Sequence, residues 1–386
     1  MMDRETSSAA ARTHGLPELR LDLGALEDNV RIMAGWCREQ GVELCPHIKT
    51  TMTRPIVQRQ IDAGAWGVTV ATAGQARTAV GWGIRRVVIA NEVVHSCDLA
   101  LLRQLLEAVP ELELYCFIDS VTGLGLARQA MEGTRNPLRV LVDVGTHGGR
   151  SGAREPAQAY ALGAAVYAES GLLLAGVGGY EGVRPNLRDS ATLSDVDEHC
   201  RKAAGVFHSL IPLFQTAQPV FSMGGSAFPD RVVRAFASLG GRPGSLPAVP
   251  VLRSGCYVTH DHGTYEHVSP VPGLRAALTV RAVVLSTPEP GLAVVGAGRR
   301  ELPYDAGLPV LVGARSPQGI RRQDAKATAA QIFDHHLVLT DAHGLHVGDE
   351  VDLGISHPCS AFDRWPQFTV VDADGNPQDI WHTQFH

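Results

Sequence analysis

The chain has 386 residues, of which 45% are hydrophobic and 19% charged, and its formal net charge is −6. This length allows one large domain and a smaller one, each with a buried core, and the composition is that of a globular protein. The negative charge and the lack of any basic run argue against a nucleic-acid partner, and no apolar stretch is long enough to span a membrane. Seven cysteines without paired spacing favour reduced thiols in a cytoplasmic protein.

The first 16 residues are polar and predict a disordered leader rather than a signal peptide. Eight short apolar runs then alternate with helical segments, which indicates parallel βα units. The apolar runs are residues 42–45, 67–71, 86–90, 112–118, 138–144, 172–178, 219–223 and 249–252. Their number favours a closed (β/α)₈ TIM barrel over residues 17–258, with an open doubly wound sheet as the alternative.

The pattern changes after the eighth run. Five prolines, at positions 270, 272, 288, 290 and 303, interrupt short apolar runs at 276–285, 292–295, 309–312 and 336–339. This pattern predicts a second, mostly antiparallel β domain over residues 259–386. The early strand at 19–23 precedes the barrel and can pair into that second domain.

A lysine follows the first barrel strand, within Cys45-Pro46-His47-Ile48-Lys49-Thr50. Barrel enzymes carry their active sites at the C-terminal ends of the strands. At such a strand end, beside buried surface, Lys49 can serve as an amine nucleophile or as a base. The alternative is a lysine whose stem packs on the core while its amine reaches water.

Glycine-rich loops follow strands seven and eight, where barrels commonly bind phosphate through backbone N–H groups. These loops are Met223-Gly224-Gly225-Ser226 and Arg253-Ser254-Gly255-Cys256-Tyr257. Either loop alone is equally typical of a turn. Together with Lys49, they suggest pyridoxal 5′-phosphate held on the lysine as a Schiff base.

Several of these segments resemble the fold-type III pyridoxal enzymes, in the branch that contains the D-threonine aldolases and D-serine dehydratases and shares the alanine racemase barrel. The resemblance rests on Pro46-His47-Ile48-Lys49-Thr50, Arg150-Ser151-Gly152, Gly225-Ser226 and Gly255-Cys256-Tyr257. It implies that Lys49 forms the Schiff base and that Arg150 approaches the oxygen of the cofactor ring. It further implies cofactor contacts from His47, Tyr180 and Tyr257, and a phosphate cradle of Gly225, Ser226, Gly255 and Cys256.

A second motif, Ser356-His357-Pro358-Cys359, lies in the predicted β domain. On an extended segment, His357 and Cys359 point the same way, and both residue types bind zinc. Such a pair is often two unrelated residues, but the resemblance implies a divalent metal held at the hydroxyl of the substrate. A thiolate at position 359 favours zinc, with manganese as the alternative.

The resemblance implies a lyase that acts on 3-hydroxy-D-amino acids, and it leaves two reactions open. A dehydratase would convert a substrate such as D-serine to a 2-oxo acid and ammonia, whereas a D-threonine aldolase would yield glycine and an aldehyde; Cys359 favours the dehydratase. A plain racemase and a non-enzymatic pyridoxal carrier fit less well, because neither requires the His-x-Cys pair. Family members also lead us to expect a two-fold symmetric homodimer. The roles of His260, His262, His267 and His335 stay open.

Overall fold

The computed structural model describes residues 15–239 and 248–385. Most of the predicted leader, residues 1–14, lies outside the described part of the chain. Within that part, the strands form two sheets, one parallel and one largely antiparallel.

The parallel sheet contains the eight predicted barrel strands in the spatial order β2-β9-β8-β7-β6-β5-β4-β3. Two hydrogen bonds join its end strands: the Trp66 N–H donates to the Leu44 carbonyl at 2.8 Å and the Thr69 N–H donates to the Pro46 carbonyl at 2.9 Å. The sheet is therefore closed, and the predicted barrel is confirmed. The strands are β2 (Glu43–Leu44), β3 (Val68–Val70), β4 (Arg86–Glu92), β5 (Glu113–Ile118), β6 (Leu138–Val144), β7 (Leu172–Gly179), β8 (Val220–Met223) and β9 (Val249–Leu252).

Helices surround the barrel, and several begin at the side chains that helix N-termini favour. Thr72, Ser120 and Asp189 each accept a hydrogen bond from a backbone N–H in the first turn of the following helix. No described helix has both the length and the apolar character needed to cross a bilayer. The helices are α1 (Leu23–Gln40), α2 (Arg54–Asp62), α3 (Ala73–Gly81), α4 (Ser96–Ala108), α5 (Val121–Met131), α6 (Pro156–Tyr167), α7 (Ser190–Leu210), α8 (Pro229–Ala237) and α9 (Thr264–Val268).

The second sheet consists of C-terminal strands and one N-terminal strand. Strand β1 pairs antiparallel with β10 and parallel with β16, so the chain starts in this sheet, enters the barrel through α1 and returns after β9. The strands are β1 (Glu18–Asp22), β10 (Leu278–Glu289), β11 (Gly291–Val295), β12 (Val310–Arg315), β13 (Lys326–Ile332), β14 (Leu337–His343), β15 (Glu350–Gly354), β16 (Gln367–Val371) and β17 (Pro377–His382). Four of them, β13 and β15–β17, lie outside the apolar runs identified in the sequence.

A buried asparagine fixes the junction between the two domains. The Asn29 side chain in α1 donates to the Val258 carbonyl at 3.2 Å and to the Arg275 carbonyl at 2.8 Å, and accepts from the Arg275 N–H at 3.0 Å. Because Asn29 is fully buried, these bonds satisfy groups that water cannot reach. They hold the segment after β9, which carries Gly255 and Cys256, against the first helix.

Candidate active site

A cavity of about 370 Å³ opens at the C-terminal ends of the barrel strands. Its position agrees with the location of active sites in this type of barrel. Residues predicted from the sequence form much of its wall, namely His47, Lys49, Arg150, Tyr180, Gly225, Ser226, Gly255, Cys256 and Cys359. The cavity therefore brings together residues that are up to about 300 positions apart in the sequence.

Lys49 lies in a single turn of 3₁₀ helix, Ile48–Thr50, directly after β2. Among the described residues, no side chain forms a hydrogen bond or an ion pair with its amine, so the amine is available to a ligand in the cavity. The neighbouring His47 is half-buried, and its buried Nδ1 atom has no hydrogen-bond partner in the described part of the chain. Burial, together with the charge of Lys49, holds the pKa of His47 well below its usual value, so this imidazole is neutral.

Two arginines place positive charge in the wall of the cavity. Arg253 is only 4% exposed, and its guanidinium donates to the Ser222 hydroxyl at 2.8 Å and to the Gly179 carbonyl at 2.6 Å. The guanidinium of Arg150 lies 4.7 Å from the centroid of the Tyr180 ring. Burial raises the pKa of Tyr180, and Glu181 raises it further, so Tyr180 stays a neutral phenol. The surroundings favour an anionic ligand.

A pair of carboxyl groups at the ends of two strands was missed by the sequence analysis. Asp143 ends on the cavity wall and accepts a hydrogen bond from the Ser151 hydroxyl at 2.9 Å. Burial raises the pKa of the neighbouring Glu92 to about 7, and the charge of Asp143 adds to this effect. Burial also raises the pKa of Asp143. Their place at the C-terminal ends of β4 and β6 was the available signal, because active-site residues of barrels lie there.

Glu181 is a second residue that the sequence analysis missed. Its buried carboxylate accepts hydrogen bonds from the backbone N–H groups of Gly224 at 3.1 Å and Gly225 at 2.7 Å. These bonds occupy part of the loop that was predicted to cradle a phosphate. The donors left for an anion belong to Ser226 and to the Gly255-Cys256 loop, and both segments line the cavity.

The glycine at position 255 is required by a close approach between two loops. A Cβ atom at this position would lie 2.3 Å from the carbonyl oxygen of His47, which is shorter than any ordinary contact. The glycine thus lets the loop after β9 pack directly against the segment that carries Lys49. This packing brings Cys256 to the mouth of the barrel, where a short 3₁₀ helix, Cys256–Val258, begins.

Three possible metal ligands meet at the edge of the cavity. The ligand atoms of Cys256, His357 and Cys359 all lie within 4.8 Å of one another, and the two sulfur atoms are 3.3 Å apart. The hydrogen bond from Cys256 lowers the pKa of Cys359 to about 4, and His357 and Lys49 lower it too, against the opposing effect of burial. Burial lowers the pKa of His357, but Cys359 raises it more, so the net shift is upward. A thiolate beside an imidazole is a donor set that suits zinc.

Comparison with known proteins agrees with this architecture. Residues 21–244 match the family model described as "Alanine racemase, N-terminal domain", and residues 277–371 match "Putative serine dehydratase domain". The chain belongs to the fold-type III, alanine racemase-like family of the D-threonine aldolases and D-serine dehydratases. The resemblance seen in the sequence is thereby confirmed.

Individual relatives cover nearly the whole chain. A D-threonine aldolase from Arthrobacter sp. is 29% identical over 95% of this chain and 91% of its own length. A D-threo-3-hydroxyaspartate dehydratase from Delftia sp. (strain HT23) is 26% identical over 94% and 95% of the two chains. The crystal structure of D-threonine aldolase from Filomicrobium marinum superposes with a TM-score of 0.80 at 28% identity, covering 96% of this chain and 95% of that one. These relatives are lyases that act on 3-hydroxy-D-amino acids.

Some residues considered in the sequence lie away from the cavity. Tyr257 is buried behind it, and its hydroxyl accepts a hydrogen bond from the Gln60 side chain at 3.0 Å. His335 is exposed, and its Nδ1 atom lies 2.8 Å from a carboxylate oxygen of Glu301. His260, His262 and His267 follow β9 in the segment that leads into and through α9, outside the cavity wall. None of these residues is therefore placed to contact a ligand bound in the cavity.

The raised pKa of Glu92 predicts a pH dependence of stability. Between about pH 5 and pH 7 the folded protein retains a proton that the unfolded chain has released, so the free energy of unfolding falls as the pH rises through this range. Glu92→Gln should make the free energy of unfolding fall less steeply with pH. Glu198 is an exposed carboxylate, so the control variant Glu198→Gln should leave the slope unchanged. Urea denaturation at several pH values measures the slope. Equal slopes for the wild type and Glu92→Gln would contradict the assignment.

Proposed function

We propose that this chain is a pyridoxal-phosphate- and zinc-dependent lyase that removes water and then ammonia from 3-hydroxy-D-amino acids such as D-serine. One observation carries the proposal: Lys49 and Cys359 line the same cavity, close enough for the lysine charge to help lower the cysteine pKa. The cavity thus offers an amine and a thiolate–imidazole pair to one small substrate. The names of the relatives support the substrate class, since each acts on a 3-hydroxy-D-amino acid.

The residues present fit pyridoxal phosphate. Lys49 offers an unpaired amine for covalent attachment, while Arg150 and Arg253 supply positive charge around the ring. Ser226 and the Gly255-Cys256 loop offer hydrogen-bond donors for the phosphate. When bound, the cofactor would supply an electron sink for the bond at Cα, and a zinc ion on His357 and Cys359 would supply Lewis acidity at the substrate hydroxyl.

The protein would hold and move protons around this centre. With the cofactor bound, the Lys49 amine would be the base that removes the proton from the substrate Cα. His357 and Cys359 would hold the metal ion that supplies Lewis acidity to the 3-hydroxyl group. Loss of the Cα proton and of the hydroxyl group as water leaves an enamine, which tautomerises and hydrolyses to a 2-oxo acid and ammonia.

The competing proposal is retro-aldol cleavage, in which the 3-hydroxyl loses its proton and the Cα–Cβ bond breaks to give glycine and an aldehyde. The similarity to two aldolases of the family supports it. The thiolate at Cys359 supports the dehydratase, because a soft sulfur ligand favours zinc while an aspartate at this point would favour harder ions such as manganese.

The proposed attachment of the cofactor predicts a specific chemical label. The purified protein should be yellow, with absorption at roughly 410–430 nm. Borohydride should then fix the cofactor irreversibly to the peptide that contains Lys49. Lys49→Ala should abolish the label, whereas Lys326→Arg, in an exposed strand, should retain it. Peptide mass spectrometry locates the label, and a label on any other lysine would refute the assignment.

The products separate the two lyase reactions. With D-serine and zinc, we expect pyruvate and ammonia rather than glycine and formaldehyde. Removal of zinc with a chelator should stop ammonia release, but uptake of solvent deuterium at Cα should continue in part, because Lys49 performs that step. Cys359→Ala should behave like the chelated enzyme. Full ammonia release without metal would exclude a catalytic role for His357 and Cys359, and glycine as the main product would favour the aldolase.

The family resemblance also leads us to propose a homodimer in the cytoplasm. Several large apolar side chains are exposed on the second domain, and such surfaces commonly form protein interfaces. They are Leu285, Val310, Val312, Ile320, Phe333 and Val347.

All seven cysteines are free thiols, which supports a reducing compartment. Analytical ultracentrifugation should show a dimer, and a stable, active monomer would contradict this expectation.

A further inference from the structure

We propose that Cys256 is a third protein ligand of the metal, so that the centre consists of two thiolates and one imidazole. This inference rests on the metal site of the proposed function and extends it. From the sequence, Cys256 was expected only in the phosphate cradle, and His357 and Cys359 were expected to be the two protein ligands of the metal. The structure instead directs the Cys256 side chain toward Cys359.

The distances fit one metal ion. A tetrahedral zinc ion with bonds of about 2.3 Å to sulfur places two sulfur ligands about 3.8 Å apart. The sulfur atoms of Cys256 and Cys359 are 3.3 Å apart, well beyond the length of a disulfide bond, and the His357 ligand atom lies within 4.8 Å of both. Small side-chain rotations would therefore bring all three donors to bonding distance.

Other contacts hold these donors in place. Cys256 begins a short 3₁₀ helix whose Val258 carbonyl accepts a hydrogen bond from the buried Asn29. The imidazole of His357 packs against the Tyr265 ring, with 5.4 Å between centroids. In the described part of the chain, nothing bonds to the buried Nδ1 atom of His357, so one polar atom of this imidazole is left without a partner.

The third ligand would determine which metal the site accepts. Two thiolates neutralise the charge of a zinc ion, and sulfur donors are poorly matched to manganese, which prefers oxygen. Three protein ligands also leave one tetrahedral position open, which is the arrangement of catalytic zinc sites. That open position is where the substrate hydroxyl would bind. The site would therefore be selective for zinc without losing its ability to bind substrate.

The ligands come from both domains. Cys256 follows the last barrel strand, whereas His357 and Cys359 follow β15 of the second sheet. A metal bound by all three would therefore link the domains at the mouth of the cavity. The backbone of the same Gly255-Cys256 loop also borders the proposed phosphate site, so the metal and the cofactor would share one structural element.

Cobalt substitution tests the inference, because the absorption of a cobalt–thiolate charge-transfer band grows with the number of sulfur ligands. The experiment compares the wild type with Cys256→Ser, Cys359→Ser and Cys97→Ser, each reduced, loaded with pyridoxal phosphate, stripped of metal and titrated with Co²⁺. Cys256→Ser and Cys359→Ser should each lose about half of the band, and zinc affinity should fall at least about 100-fold, beyond the usual effect of an outer-shell change. Cys97→Ser, which alters an exposed thiol, should match the wild type.

Some results would refute Cys256 as a ligand without refuting the proposed function, and others would refute both. If Cys256→Ser keeps the wild-type band and affinity while Cys359→Ser loses both, the third ligand is refuted and the two-ligand site stands. If the reduced wild type binds neither metal, both the inference and the metal-dependent function fail. A purified protein with no zinc and two fewer titratable thiols would indicate a Cys256–Cys359 disulfide and would also overturn the inference. Cofactor absorption and circular dichroism check folding, and Cys256→Ala replaces the serine variant if that variant misfolds.

Discussion

The pairing of β1 between β10 and β16 is the constraint on which the rest of the molecule depends. It places the first strand of the chain in the sheet formed by the last third, and α1 then leads from that sheet directly into the barrel. Asn29 in this helix bonds to the segment by which the chain leaves the barrel. The two domains are thereby connected where the chain enters the barrel and where it leaves it. The Cys359 side chain lies at the mouth of the barrel.

Electrostatics within the cavity follow from this arrangement. The buried guanidinium of Arg253 and the amine of Lys49 place positive charge on one side, and the thiolate of Cys359 places negative charge at the edge. Glu92 and Asp143 are close to each other and hold a proton more tightly than ordinary carboxyl groups do. Buried charges of this kind are costly unless they are compensated, so the cavity is organised for an ionic ligand rather than for an apolar one.

Much of the fold could be predicted from local sequence patterns, because each buried parallel strand is a short apolar run. All eight barrel strands lie at the predicted places. The strands of the second sheet were harder to recognise. Strand β13, with the sequence KATAAQI, is exposed along much of its length and gives no clear apolar run.

The site could be predicted in part for a similar reason. Lys49 and the His357–Cys359 pair lie in short motifs that carry their own chemical signal. By contrast, the contact between Glu181 and Gly225 joins residues 44 positions apart, and the contact between the two thiols joins residues 103 positions apart. Such partners are created by the closure of the barrel and by the docking of the second sheet, so a pattern within one segment cannot reveal them.

The position of β1 also has a consequence for biosynthesis. Thr369 in β16 donates a hydrogen bond to Glu18 in β1 at 3.0 Å, across 351 positions of sequence. During synthesis β1 is made before both of its neighbours in the sheet, and β16 is made long after β10. Until β16 has been made, the edge of β1 that pairs with it stays open to pairing with other nascent chains. Such a long-range contact slows folding, so the barrel is expected to form first and the active site to be completed last.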